Sequence, residues 1–366
     1  MTDVIALAQE LVRMDTAGVG EQVAAEHIGR ILARAGADVE LVPYAPGRAH
    51  LLASAGDTRD APLVLSGHLD TVPPGDAPWA IDPLGGELRD GFLTGRGSAD
   101  MKSGVAALVT ACVRRLSRGT PSRGIQLVLT AAEETGCEGS RHLVSVRSMP
   151  TGGPLLVAEP TDCRIATGHK GVLWLQIRAE GRSAHGSRPD LGLNAIVPLA
   201  RLVTALHDHG LPGDHAVMGS VTVNVGMITG GTRMNVVPDS ATMAVDIRTV
   251  PGSDTEELIA RIRELSGADL LIEVVEDLRP VYSSPEAPLA RSVTAALESV
   301  TGSAPSSPPL TYFTDAAILA GALSCSETVL MGPGDPAAAH SSDERCALEQ
   351  IERATDVYEA VLDSWC

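Results

Sequence analysis

Three short, mostly apolar runs in this chain end on groups that bind metals or move protons. LVLSG (63–67) leads into His68, IQLVLTA (125–131) into the adjacent acids Glu133 and Glu134, and LLVA (155–158) into Glu159. Runs of this length, rich in Val, Ile and Leu and bounded by turn residues, predict buried strands. Between the first two, MKSGVAALVTACVRRL (101–116) predicts a buried helix. The alternation predicts an α/β fold: a mixed, largely parallel central sheet flanked by helices. In open sheets of that kind, sites form outside the carboxyl ends of the strands. All four polar residues fall there, so one constraint on the fold is also a constraint on where its chemistry sits.

The rest of the chain divides around this pattern. Residues 3–14 and 21–36 carry helical periodicity, and VELV (39–42) is a further short strand. After Lys170 the style changes. VLWLQIRAEG (172–181) alternates like a half-exposed strand, and NAIVPLARLVTALHDH (194–209) is helical. VTVNVGMITGG (221–231) and ATMAVDIRTV (241–250) are strands, DTEELIARIRELSG (254–267) a helix and DLLIEVVED (269–277) a last strand. The order β-α-β-β-α-β matches an α+β sandwich of the ferredoxin-like kind. The expected organisation is a larger domain in two parts, 1–171 and 283–366, interrupted by a smaller one at 172–282. The only linker-like run is GSAPSSPP (302–309), and PLARSVTAALESV (288–300) resumes helix.

At 366 residues the chain is long for one core, which agrees with two domains. It has two Phe, four Tyr and three Trp, so the interior is built from Ala, Val and Leu, and a base-stacking platform is not expected. With 28 basic and 46 acidic residues the net charge is −18, which argues against nucleic acid or an anionic membrane as partner. The six cysteines, at 112, 137, 163, 325, 346 and 366, form no C-x-x-C pair and suit free thiols. The N-terminus lacks a basic leader and no run reaches membrane-spanning length. A soluble, cytoplasmic protein is expected.

Five candidate metal ligands stand in turn-rich contexts: His68 in SGHLDTVPPG, Asp100 in TGRGSADMKSG, Glu134 in TAAEETGCEGS, Glu159 in LVAEPTD and His340 in GPGDPAAAHSSDE. Two imidazoles and three carboxylates suit a pair of zinc, cobalt or manganese ions. Asp70, two residues after His68, is placed to hold the imidazole's other nitrogen. Asp100 follows Gly91, Gly95 and Gly97 and has two oxygens with which to bridge two ions. It would equally suit the N-cap of the helix that follows. Of the two adjacent acids, Glu133 is free to act as a general base if Glu134 binds metal. Glu159 ends an apolar strand, where an unpaired carboxylate is costly.

In order, context and spacing these blocks resemble the metal-dependent aminoacylase and carboxypeptidase superfamily, peptidase family M20. The likeness runs through GHLDTVP, GRGSADMKSG, AAEETG, AEPT, GHKG, AHGSRPDLGLNA, GGTRMNVVPD, DIRTVPG and GPGDPAAAHSSDE. It implies two divalent ions, zinc with cobalt or manganese as alternatives, bridged by Asp100. His68 and Glu159 would complete one site, Glu134 and His340 the other, with Glu133 the general base and Asp70 orienting His68. It implies a cis peptide at Asp100–Met101. It also implies that the smaller domain is a lid and dimerisation domain. From it His185, in SAHGS, would polarise the scissile carbonyl, and Asn235 and Arg248 would hold the substrate carboxylate.

What the resemblance implies about function is hydrolysis of a linear amide by a homodimer acting on a small N-acyl-L-amino acid or dipeptide. GHKG, TYFTDAAIL (311–319) and GPGDPAAAH resemble the acetylornithine deacetylase and glutamate carboxypeptidase branches. The G-G-T-S-D signature of the desuccinylases is absent. An N-acetyl substrate is therefore expected, with a desuccinylase, dipeptidase or glutamate-type carboxypeptidase as alternatives. A non-catalytic binding protein on the same fold should have lost a ligand or the base, and none is lost. An aminopeptidase shares the catalytic layer but typically lacks the paired Asn235 and Arg248. Ser103, Thr94 and Leu84 depart from the family pattern near the pocket and bear on substrate, not on the ligand set.

Overall fold

The computed structural model describes residues 3–59, 61–147, 149, 152–267 and 269–365. The chain forms two compact units. The larger comprises Met1–Gly168, Tyr282–Pro308 and Thr314–Cys366, the smaller His169–Val281 and Pro309–Phe313. The short run 309–313, which begins on the last residue of the GSAPSSPP stretch, thus belongs with the smaller unit, which no feature of its sequence announces.

The larger unit is built on a six-stranded sheet in the spatial order Asp38–Ala45, Arg48–Ala55, Ile125–Thr130, Leu63–His68, Leu155–Val157, Thr328–Leu330. The first two strands form an antiparallel hairpin, and the second pairs antiparallel with Ile125–Thr130. The remaining three pairings are parallel. Pro46 and Gly47 make the hairpin turn, Gly47 at φ +74° as such a turn requires. Arg48–Ala55 is buried on both faces, so it lacks the polar alternation that marks a strand in sequence.

Side chains of alternate parity leave the sheet in opposite directions. Leu51, Ala53, Leu63, Leu65, Leu127, Leu129, Leu156 and Val329 share one apolar core with the helices Val4–Val12, Glu21–Arg34, Ser103–Leu116, Pro288–Thr301 and Leu348–Trp365. Val64, Val128, Leu155, Val157 and Leu330, of the other parity, are equally buried but lie outside that core. Helices Glu138–Val146 and Ala316–Ala322, in contact with each other and with the sheet, serve that face. The Ala-rich helix Ser103–Leu116 lets Leu348–Trp365 approach closely. Tyr358, the largest fully buried side chain, donates its hydroxyl to the carbonyl of Met331 at 2.5 Å, so its polar end is satisfied. At the end of the last helix, the Trp365 indole lies 3.6 Å from the Arg123 guanidinium.

The smaller unit has an antiparallel four-stranded sheet in the order Thr222–Gly230, Ser240–Thr249, Gly171–Glu180, Leu271–Leu278. Numbered along the chain that is 2-3-1-4, the ferredoxin-like arrangement expected from the β-α-β-β-α-β reading. Ala241, Met243, Val245 and Ile247 point inward. Helices Ile196–His209 and Thr255–Ser266 bury Leu199, Leu202, Leu206, Leu258, Ile259 and Ile262. Trp174 meets the ring of Phe313 edge-on at 6.1 Å, which ties the 309–313 run to this unit. Among the described residues no disulfide links Cys112, Cys137, Cys163, Cys325 or Cys346, and Cys366 lies outside the described residues. Among the described residues no helix is long and apolar enough to cross a membrane.

Candidate metal centre

The parallel registers bring the strand ends level. His68 is opposite Thr130, and Ser66 is opposite Val157. The chain then leaves each strand at the same edge, which places His68, the Glu133–Glu134 pair and Glu159 at one end of the larger unit. Ligand atoms of His68, Asp100 and Glu134 all lie within 4.8 Å of one another. His68 Nε2 is 3.0 Å from Asp100 Oδ1, and His340 Nε2 is 3.4 Å from Asp100 Oδ2 and 2.9 Å from Glu134 Oε2. Asp100 thus stands between the two imidazoles with one oxygen toward each.

Asp100 does not cap the helix that follows. It is extended (φ −120°, ψ 98°) in an irregular turn, the Asp100–Met101 peptide is cis, and the helix begins at Ser103 behind Lys102. Four donors on one buried carboxylate, Glu344, fasten that turn: Arg96 Nη1 (2.5 Å) and the backbone N–H groups of Gly97 (3.0 Å), Ala99 (2.8 Å) and Asp100 (3.0 Å). The Arg96 guanidinium also lies 5.0 Å from the Trp79 ring centroid. No motif pointed to Glu344 or Arg96 as a pair.

The acid pair sits on a strained turn. Ala132 (φ +59°) and Cys137 (φ +58°) are both left-handed, and the Glu133 carbonyl accepts the N–H groups of Gly136 (3.0 Å) and Cys137 (2.7 Å). Gly139 is required here, because a Cβ at that position would lie 1.5 Å from the carbonyl oxygen of Ala131. Asp70 closes the turn from the other side. Its Oδ1 accepts the N–H of Glu133 and its Oδ2 that of Glu134, both at 3.1 Å. His68 Nδ1 is 2.9 Å from the Asp70 carbonyl oxygen and 3.7 Å from its carboxylate. The imidazole is therefore held mainly by the backbone of Asp70, while the side chain holds the acids.

The electrostatics are those of crowded, buried carboxylates. Burial, reinforced by neighbouring carboxylates, pushes Glu133 and Glu159 well above the usual range, with His68 the main opposing influence. For Asp100, burial acts upward too, but the hydrogen bonds to His340 and His68 outweigh it and hold the group far down. His340 is raised to about 10 by its hydrogen bonds to Asp100 and Glu134. Asp315, missed in the sequence, adds another buried acid, bound by Thr130 and raised chiefly by burial. Glu159 is 4% exposed and makes no hydrogen bond among the described residues. A largely buried carboxylate without a hydrogen bond, within electrostatic reach of His68, Asp100 and Glu134, is the chemistry of a divalent-cation site, and the residues fit one.

In the smaller unit, His185 and Asn235 are neighbours. Gly186 N–H donates to the Asn235 carbonyl at 2.8 Å, and His185 bridges to Val236. His185 is exposed, and its Nδ1 accepts the N–H of Ser187 at 3.1 Å, leaving the ring proton on Nε2. Arg248 is ion-paired with Asp246, Nε to Oδ1 at 2.9 Å, and reaches the Thr311 carbonyl at 3.4 Å.

The family model described as peptidase family M20/M25/M40 matches residues 64–364. The succinyl-diaminopimelate desuccinylase of Rhodospirillum centenum is 32% identical over 391 residues, covering 99% of this chain and 97% of that one. The acetylornithine deacetylase of Proteus mirabilis is 28% identical, covering 90% and 86%. The M20 family metallo-carboxypeptidase Sso-CP2 of Sulfolobus solfataricus shares the fold, with a TM-score of 0.82 at 17% identity over 100% of this chain and 99% of that one.

Proposed function

The chain belongs to peptidase family M20/M25/M40, and from that premise we propose that it hydrolyses the amide bond of an N-acyl-L-amino acid using two divalent metal ions. The observation that carries the proposal is the convergence of His68, Asp100, Glu134 and His340, with Asp100 presenting one oxygen to each imidazole. His68, Asp100 and Glu159 would hold one ion, and Asp100, Glu134 and His340 the other, with zinc first among the candidates and cobalt or manganese next. Bound there, the ions supply Lewis acidity, polarising the amide carbonyl and lowering the pKa of water toward neutrality.

The chain's own groups do the rest. Glu133 removes a proton from the attacking water and returns it to the amine nitrogen as the C–N bond breaks, giving a carboxylic acid and a free amine. Asp70 keeps Glu133 at its station through the backbone N–H. We assign His185 to the carbonyl oxygen through Nε2–H. Arg248 and Asn235 take the substrate carboxylate, Arg248 by its bidentate fork. The smaller unit acts as lid and dimerisation surface in this reading, and the working compartment is the cytoplasm.

An N-acetyl group is the first reading of the substrate, from the motifs shared with the acetylornithine deacetylase branch. The desuccinylase relative at 32% identity favours an N-succinyl group as the second. The test is amine release from N-acetyl and N-succinyl amino acids and dipeptides, with chelated protein reloaded with zinc, cobalt or manganese. Metal-dependent release from N-acetyl substrates is expected. Release from N-succinyl substrates or dipeptides alone keeps the mechanism and changes the substrate. Two bound ions with no turnover of any of these would point to a specialised substrate outside the panel or to a binding protein.

A further inference from the structure

Glu344 lies four residues after His340 and is 1% exposed, yet it is no part of the ligand set. Its two oxygens are taken up by four donors of the chain: Arg96 and Gly97 on Oε2, Ala99 and Asp100 on Oε1. Arg96 reaches on through Nη2 to the carbonyl of His340 at 3.4 Å, and the Glu344 carbonyl accepts the Gly95 N–H at 2.9 Å. One carboxylate and one guanidinium therefore tie the turn that presents Asp100 to the loop that presents His340. Only an acceptor with two oxygens fits, since an amide would aim N–H groups at backbone N–H groups.

The two imidazoles differ in how much they need that tie. His68 ends a fully buried strand and is itself 1% exposed. The His340 side chain is 53% exposed, on a residue at φ +61° within a loop. The antiparallel pairing of Arg345–Ala347 with Phe92–Thr94 lays the two segments side by side but stops short of both His340 and Asp100, and the Arg96–Glu344 pair carries the tie onward from there.

We propose that Glu344 is a positioning residue that acts through Arg96 and the 97–100 turn to set the Asp100–His340 separation. It thereby governs occupancy of the ion position made by Asp100, Glu134 and His340, and leaves the His68 position largely unaffected. The inference rests on the dinuclear reading above.

The test is calorimetric titration of the metal-free protein with Co(II), with the cobalt absorption spectrum as a second readout. Wild type should take up two ions. Glu344→Gln should keep the first at similar affinity and bind the second about 10–100-fold more weakly, with its spectrum converging on that of His340→Ala. Arg96→Lys keeps the charge but loses the fork, and should show the same selective weakening to a smaller degree. It also decides the matter if Glu344→Gln does not fold. Unchanged second-ion affinity in the folded variants, or equal weakening of both ions, overturns the proposal alone. Wild type that takes up fewer than two ions overturns the dinuclear reading and the proposal with it.

Discussion

The Asp70 carboxylate accepts the backbone N–H of Glu133 at 3.1 Å. Its other oxygen takes the N–H of Glu134 at the same distance. The acid that follows His68 in H-x-D thus fixes the proposed base and a proposed ligand by their main chain. Asp70→Asn keeps the shape but turns an amide N–H toward one of those donors. Turnover should fall about 10–100-fold with KM little changed. Stability should drop by about 1–3 kcal/mol for the unsatisfied buried group. Steady-state kinetics at saturating metal and urea unfolding of the same preparation check both, and a variant with wild-type kcat would remove Asp70 from this role.

Glu133→Gln should lower kcat by about 10²–10⁴-fold while metal content stays at two ions per chain. Among the described residues the only hydrogen bond to its side chain is the 3.8 Å one from Cys137 Sγ, none from a proposed ligand, so the substitution leaves the ligand set in place. Metal analysis alongside progress curves separates a lost base from a lost metal. Retained turnover would assign the proton transfer to another group.

Removing one ligand should stabilise the metal-free protein. Glu159 is buried, without a hydrogen bond among the described residues, and surrounded by other acids. Glu159→Gln in chelated protein should melt later, by on the order of 1 kcal/mol, because a crowded carboxyl is gone. With metal the order should reverse. Wild type at a hundredfold excess of ion over Kd gains about 2.7 kcal/mol per site, and the variant gains less. Differential scanning fluorimetry with and without zinc reads both signs. A metal-free variant less stable than wild type would contradict this account of Glu159.

His50 gives stability its own pH dependence. It is fully buried, accepts the Ala131 N–H on Nδ1 at 3.1 Å and faces His142 Nδ1 at 3.3 Å. Tyr44, hydrogen-bonded to Glu138, and Arg48 complete its surroundings. Burial, then the charges of His142 and Arg48, lower it from 6.5 to about 4. The unfolded chain takes up the proton near 6.5 and the folded chain only near 4. Stability due to neutral His50 is therefore complete above about 6.5 and is lost as pH falls toward 4, up to about 3 kcal/mol. Urea midpoints of wild type and His50→Asn should diverge less at pH 4.5 than at pH 7.5. Parallel pH profiles would show that His50 titrates normally.

The parts of this molecule legible in the sequence are those whose signal is local. His68, Glu134 and Glu159 stand out because each interrupts an apolar run at a strand end. The smaller unit shows itself by clean periodicity from 172 to 277. Glu344 closes the GPGDPAAAHSSDE block, yet its role is illegible because its partners, Arg96 to Asp100, lie 244–248 positions away, and an acid in a loop looks like surface. Asp315 and His50 are hidden likewise, through Thr130 and Ala131. The strand Arg48–Ala55 escapes because burial on both faces erases alternation. The division of labour within Asp70, backbone to His68 and side chain to the acids, is a matter of geometry that no spacing encodes.

Three tryptophans in 366 residues also make the chain its own optical instrument. Trp79 lies over Arg96, Trp174 against Phe313 in the smaller unit, and Trp365 beside Arg123 at the end of the last helix. Each indole watches a different part of the molecule. With Trp174 and Trp365 replaced by Phe, the emission of Trp79 would follow the Arg96–Glu344 fastening in real time. Loading of the two ion positions could then be timed without any label or substrate.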